Sequence, residues 1–123
     1  MRDPPLILAV DDRPENLEIL SVRLGANGYE VETAGDGEEG LRRARELQPD
    51  LILLDIMMPK LDGIAVVREL KKDPALRAIP VIAVTSYALS GDEAKTKAAG
   101  CDGYVAKPFS PRQLLAKINE FLP

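Results

Sequence analysis

The residues of this chain that could do chemistry are few, and most of them are carboxylates. Asp11-Asp12 follows the apolar run Leu6 to Val10, and Asp55 closes a second run, Leu51 to Leu54. Thr85-Ser86 follows Val81 to Val84, and Lys107-Pro108 follows Gly103-Tyr104-Val105-Ala106. There is no histidine and one cysteine, Cys101. Ser-His and Cys-His nucleophile pairs and imidazole metal sites are thereby excluded. If Asp11, Asp12 and Asp55 meet, three carboxylates repel one another unless a cation joins them. All-oxygen ligation at a small site suits Mg2+, which keeps several waters and also takes phosphate oxygens. A carboxylate left free of tight ligation can attack a phosphoryl group. The metal, the Lys107 ammonium and the Thr85 hydroxyl would then stabilise the phosphoryl oxygens.

That chemistry requires elements that bring distant residues to one place. Leu6 to Val10, Leu51 to Leu54 and Val81 to Val84 are continuous apolar runs, the pattern of parallel strands covered on both faces. Tyr29 to Ala34 alternates more and is expected at a sheet edge; Gly103 to Ala106 is a weaker fifth strand. Helical spacing appears between them. Leu17, Leu20 and Leu24 follow Pro14, with Asp12 as a possible cap and Gly25 or Gly28 as the stop. Leu41, Ala44 and Leu47 mark a second helix closed before Pro49. Ile64, Val67 and Leu70 mark a third, preceded by Asp62. Gly91 to Ala99 offers mainly small apolar residues, so a helix there is expected to pack thinly, as an ordinary Ala-rich helix or one that shifts at low cost. Ser110-Pro111 opens a last helix carrying Leu114, Leu115, Ile118, Phe121 and Leu122.

Strict alternation predicts an α/β fold, a (βα)5 parallel sheet with right-handed crossovers. In open α/β sheets ligands bind beyond the carboxyl ends of the strands, which is where Asp11, Asp12, Asp55, Thr85 and Lys107 fall.

The bulk properties fit one soluble domain over residues 1–123. Hydrophobic residues make up 46% and charged residues 29% of the 123, a balance that favours a globular fold over disorder. No apolar run is long enough to span a bilayer, and Met-Arg-Asp-Pro-Pro does not read as a secretory leader. A single cysteine is compatible with a reducing cytosol, and a cytoplasmic location is expected. The net charge of −4, with no long basic run, disfavours direct nucleic-acid binding.

Four stretches together resemble the response-regulator receiver domains. They are Val10-Asp11-Asp12, Leu53 to Gly63 (Leu-Leu-Asp-Ile-Met-Met-Pro-Lys-Leu-Asp-Gly), Val84-Thr85-Ser86 and Val105-Ala106-Lys107-Pro108-Phe109. The resemblance runs from the first strand to the last helix, and implies a flavodoxin-like doubly wound sheet of order 2-1-3-4-5. It implies Asp55 as phosphoacceptor, and Mg2+ held by Asp11, Asp12 (more directly), Asp55 and the backbone carbonyl of Met57. It also implies Thr85 and Tyr104 as switch residues, Lys107 pairing with phosphate and carboxylate, and a cis Lys107–Pro108 peptide. The implied phosphodonor is a phosphohistidine on a sensor histidine kinase or phosphotransfer protein. The output would be a separate protein that reads the surface of the fourth helix, fifth strand and fifth helix. Such a chain would be a signalling module rather than a turnover enzyme, and a monomer or a phosphorylation-dependent homodimer. Met57 and Tyr87, expected to flank the path of attacking water, offer no group to orient it, so the phosphoryl group should be lost slowly.

Other readings of the same residues are open. A haloacid-dehalogenase-type phosphatase also uses an aspartate nucleophile and Mg2+, but needs an aspartate two residues further on, where Met57 stands. A flavodoxin-like cofactor carrier needs a loop of amide donors after the first strand, where Asp11-Asp12-Arg13-Pro14-Glu15 would repel a flavin phosphate. Each residue also has a plainer role: Asp11 as a cap or outer-shell support, Thr85 as a β-branched strand residue, Tyr104 as a static edge aromatic. Cys101 reads as a small, partly buried residue, and Arg42, Arg43 and Arg45 as a solvated helix face.

Overall fold

A computed structural model describes residues 4–55, 63–85, 97–106 and 110–122. Met57, Tyr87, Lys107, the Lys107–Pro108 peptide and most of Gly91 to Ala99 lie outside these, and only the backbone of Thr85 lies within them. The elements are β1 (Leu6–Val10), α1 (Pro14–Ala26), β2 (Glu30–Ala34), α2 (Gly37–Leu47), β3 (Leu51–Asp55), α3 (Gly63–Lys72) and β4 (Val81–Thr85). Then come the helical residues 97–99, labelled α4, β5 (Gly103–Ala106) and α5 (Pro111–Asn119). The five strands are all parallel, in the order β2-β1-β3-β4-β5. This is the flavodoxin-like doubly wound sheet that the alternation and the family resemblance led us to expect.

The apolar runs become strands because both of their faces are covered. Every residue of β1 and β3 is buried. Leu8, Val10, Ile52 and Leu54 pack on one side against Leu41 and Ala44 of α2, Val66, Val67 and Leu70 of α3, and Ala99. Ile7, Leu51, Leu53 and Ile82 pack on the other against Leu24 of α1 and Leu114 and Ile118 of α5. Each fully buried Leu or Ile side chain is worth about 2 kcal/mol of transfer free energy, so the central strands hold the sheet. β2, with its alternating sequence, is half-buried and lies at the edge.

Three local details correct or sharpen the expected boundaries. The cap of α1 is Arg13, with no side-chain cap bond, and not Asp12. Pro14 occupies the first helical turn as expected. At the other end, the Tyr29 N–H bonds Leu24 O and the Gly28 N–H bonds Gly25 O, a Schellman closure with Gly28 at φ 91°. Tyr29 has thus spent its N–H on the helix, and β2 starts one residue later than its apolar pattern suggested. Finally, β3 and β4 each run one residue past their apolar runs, so Asp55 and Thr85 are terminal strand residues held in register: Asp55 pairs with Val84, and Thr85 with Ala106.

Candidate functional site

Three carboxylates arrive at one rim of the sheet because β1 and β3 are neighbours. Val10 is in register with Leu54, so the residues that follow, Asp11 and Asp55, emerge side by side. The Asp11 N–H still bonds the Ala34 carbonyl of β2, which carries the strand geometry through Asp11. Beneath them, Gly40 of α2 approaches β1 so closely that a Cβ there would meet the Val10 side chain at 3.0 Å. A larger residue would require the Val10 side chain or the helix to give way beside the strand end that sets the site.

One oxygen from each of Asp11, Asp12 and Asp55 lies within 4.8 Å of the others. Asp11 and Asp55 are buried, at 4% and 7% exposure, and Asp12 is exposed. Two unit charges at that distance near a protein surface repel by about 3 kcal/mol. A positive charge at this rim would relieve that repulsion. The donor set is all oxygen, two members are shielded and the third faces solvent. That combination can hold a hard divalent cation and leave room for water or a phosphate oxygen.

Asp11 is held more tightly than its neighbours in sequence suggest. Its Oδ1 accepts from the Arg13 N–H at 2.9 Å, and its Oδ2 accepts from the Asn16 Nδ2 amide at 3.2 Å. Both donors belong to the entry of α1. Asn16 did not stand out in the sequence; its one signal was its place in the first turn of the helix after the aspartate pair.

The two switch candidates lie on adjacent strands. Tyr104 of β5 is in register with Ala83, two residues before Thr85 on β4. Lys107 follows β5 directly, and Met57 follows Asp55 by two residues. Asp11, Asp12 and Asp55 are the predicted site residues whose side chains the described structure brings together. Cys101 is half-buried, and its thiol donates to the Val81 carbonyl. Desolvation by burial pushes that thiol up to about 11, which keeps it neutral and unreactive as the sequence suggested. Of the three arginines of α2, Arg42 pairs with Glu46, Arg43 with Glu32 and Arg45 with Asp73, so they form no free basic patch.

The sequence profile of the response regulator receiver domain matches residues 7–119. The chain belongs to that family. It is therefore a receiver domain of two-component signalling, a signalling module in which a phosphoacceptor role is expected. It is 40% identical over 119 residues to the polar-differentiation response regulator DivK of Brucella anthropi, an alignment that covers 97% of each protein. Among solved structures it resembles the chemotaxis protein CheY4 of Vibrio cholerae, with a TM-score of 0.90 and 32% identity, covering 95% of this chain and 98% of the other. It also resembles the receiver domain of the sensor histidine kinase PA1611 of Pseudomonas aeruginosa, with a TM-score of 0.89 and 35% identity, covering 96% and 97%. That structure carries a magnesium ion coordinated in its active site cleft. Among the described residues of the present receiver, no helix is long and apolar enough to cross a membrane.

Proposed function

We propose that this receiver takes a phosphoryl group on Asp55 in a Mg2+-dependent reaction, from a histidine kinase or a histidine phosphotransfer protein. The observation that carries the proposal is the convergence of Asp11, Asp12 and Asp55 within 4.8 Å at the carboxyl rim of the sheet. Asp11, Asp12, Asp55 and the Met57 carbonyl would hold the ion, which when bound supplies the positive charge that phosphoryl oxygens need. Asp55 ends a fully buried strand, so its carboxylate is presented from a rigid base. An oxygen of Asp55 attacks the donor phosphorus, and the phosphohistidine nitrogen leaves. Lys107 and Thr85 would contact the transferred group from the β5 and β4 sides.

The new phosphoryl group adds about −1.5 to −2 charges at an already acidic rim. Thr85 and Tyr104 would rearrange around it and alter the surface of α4, β5 and α5. A partner that binds this surface better in one state shifts the populations of the two. We read residues 1–123 as one cytoplasmic domain that acts through a separate output protein, as a monomer or a phosphorylation-dependent homodimer.

The test is incubation of the wild-type chain and Asp55→Asn with acetyl phosphate and Mg2+, read by intact mass. The wild type gains one phosphoryl group, while Asp55→Asn, and wild type with the metal chelated, gain none. Modification of Asp55→Asn to the same extent, or steady release of phosphate with no modified protein, would overturn the reading.

A further inference from the structure

We infer that Asn16 is a positioning residue for the carboxylate rim: its amide fixes the rotation of the Asp11 carboxylate and so sets the affinity of the site for Mg2+. The inference rests on the proposed function, since it concerns the same acidic cluster.

An aspartate at a strand end has a carboxylate that turns about its last bond with little resistance. Asp11 is kept from doing so at both oxygens. The Arg13 backbone N–H holds Oδ1 at 2.9 Å, and Asn16 Nδ2 holds Oδ2 at 3.2 Å. Both donors sit on one short rigid piece, the entry to α1. There Pro14 fixes the backbone, and the Asn16 N–H is itself bonded to the Arg13 carbonyl at 3.1 Å. Asn16 is half-buried, so its amide has limited freedom to turn elsewhere.

The chemistry of the donor matters as much as its place. Lysine or arginine at this position would neutralise Asp11 and compete with an incoming cation. The asparagine amide orients the carboxylate and leaves its charge intact. Each carboxylate oxygen has two lone-pair directions, so a bond to the helix entry does not exhaust it as an acceptor. Asparagine is also a poor helix former, and glutamate or glutamine is favoured at this third helical position for capping. Helix stability alone does not explain the residue. Removing a group that orients a metal ligand typically weakens metal binding by about 10- to 100-fold.

The experiment titrates Mg2+ into the purified full chain and follows amide chemical shifts by NMR. It compares wild type, Asn16→Leu, Asp11→Ala and the double variant, with the unfolding midpoint of each recorded in parallel. Asn16→Leu is expected to bind Mg2+ about 10-fold more weakly. In the Asp11→Ala background the same change should have no further effect, because the group it positions is gone. A purely structural role would weaken binding equally in both backgrounds, and that result overturns the inference, as does unchanged affinity in Asn16→Leu. Asn16→Ala repeats the comparison should the leucine variant fail to fold. If wild type binds Mg2+ and Asn16→Leu matches it, only the inference falls. If wild type does not bind Mg2+, the proposed function falls with it.

Discussion

At the amino-terminal rim of the sheet, Asp50 and Asp102 each reach across to a neighbouring strand and accept from its first N–H. Asp50 Oδ2 takes the Leu6 N–H at 2.8 Å, and Asp102 Oδ2 takes the Val81 N–H at 2.9 Å. Asp102 is joined there by the Lys71 ammonium at 2.8 Å, which also donates to the Arg77 and Ile79 carbonyls. At the opposite rim, Asp11, Asp12 and Asp55 face one another. The residue type is the same, and the difference lies in what a parallel sheet offers at its two ends. All strands begin together, so their free N–H groups point out of one rim and can satisfy carboxylates. All strands end together at the other, where the backbone presents carbonyls that accept but cannot donate. Aspartates at the first rim staple the fold. Those at the second need help from a helix entry, as Asp11 receives from Arg13 and Asn16, or from a cation.

This contrast can be broken from either end. The largest effect is expected for Asp102→Ala, which strips an acceptor from the Val81 N–H and a counter-charge from the largely shielded Lys71. We expect a loss of about 2 kcal/mol in urea unfolding. Asp50→Ala removes a single bond and should cost about 1 to 2 kcal/mol. A loss no greater than that of an ordinary surface substitution would show that the amino-terminal carboxylates are not staples. At the other rim the effect should be small. With no divalent cation present, Asp55→Asn relieves crowding among three carboxylates but also weakens a contact that Asp55 makes within the fold, so stability should change by less than about 1 kcal/mol. A loss as large as that of Asp102→Ala would mean that Asp55 is a staple as well.

Much of this was legible beforehand. The strands could be read because both faces of β1 and β3 are covered, which leaves uninterrupted apolar runs. Asp55 and Asp11 could be located because strands end where apolar runs stop. The staples could not be read: Asp50 and Asp102 serve strands 44 and 21 residues away, and nothing local to a loop aspartate reveals that. The cap of α1 was misassigned as well. Asp12 had the right type, but α1 starts at Pro14, so the cap falls on Arg13, which makes no side-chain cap bond.

A smaller effect concerns Cys101, which lies next to the Asp102 staple. Its folded thiol is raised to about 11 by desolvation, from an ordinary value of 9.0. The unfolded chain therefore releases this proton first, and the contribution of the buried thiol is complete below pH 9 and lost as pH climbs toward 11. Urea unfolding of wild type and Cys101→Ala at neutral and alkaline pH should show a shallower alkaline decline in the variant. Identical declines would show that the thiol is not shielded.

The most direct test of the contrast between the rims is the response of stability to Mg2+. A cation that binds only the folded cluster must raise the unfolding midpoint in proportion to the logarithm of its concentration. Wild type should gain with Mg2+ beyond a sodium chloride control of equal ionic strength. Asp102→Ala should gain by the same increment from a lower start, and Asp55→Asn should gain little. A wild-type midpoint indifferent to Mg2+, or an increment lost equally from Asp102→Ala and Asp55→Asn, would contradict the account.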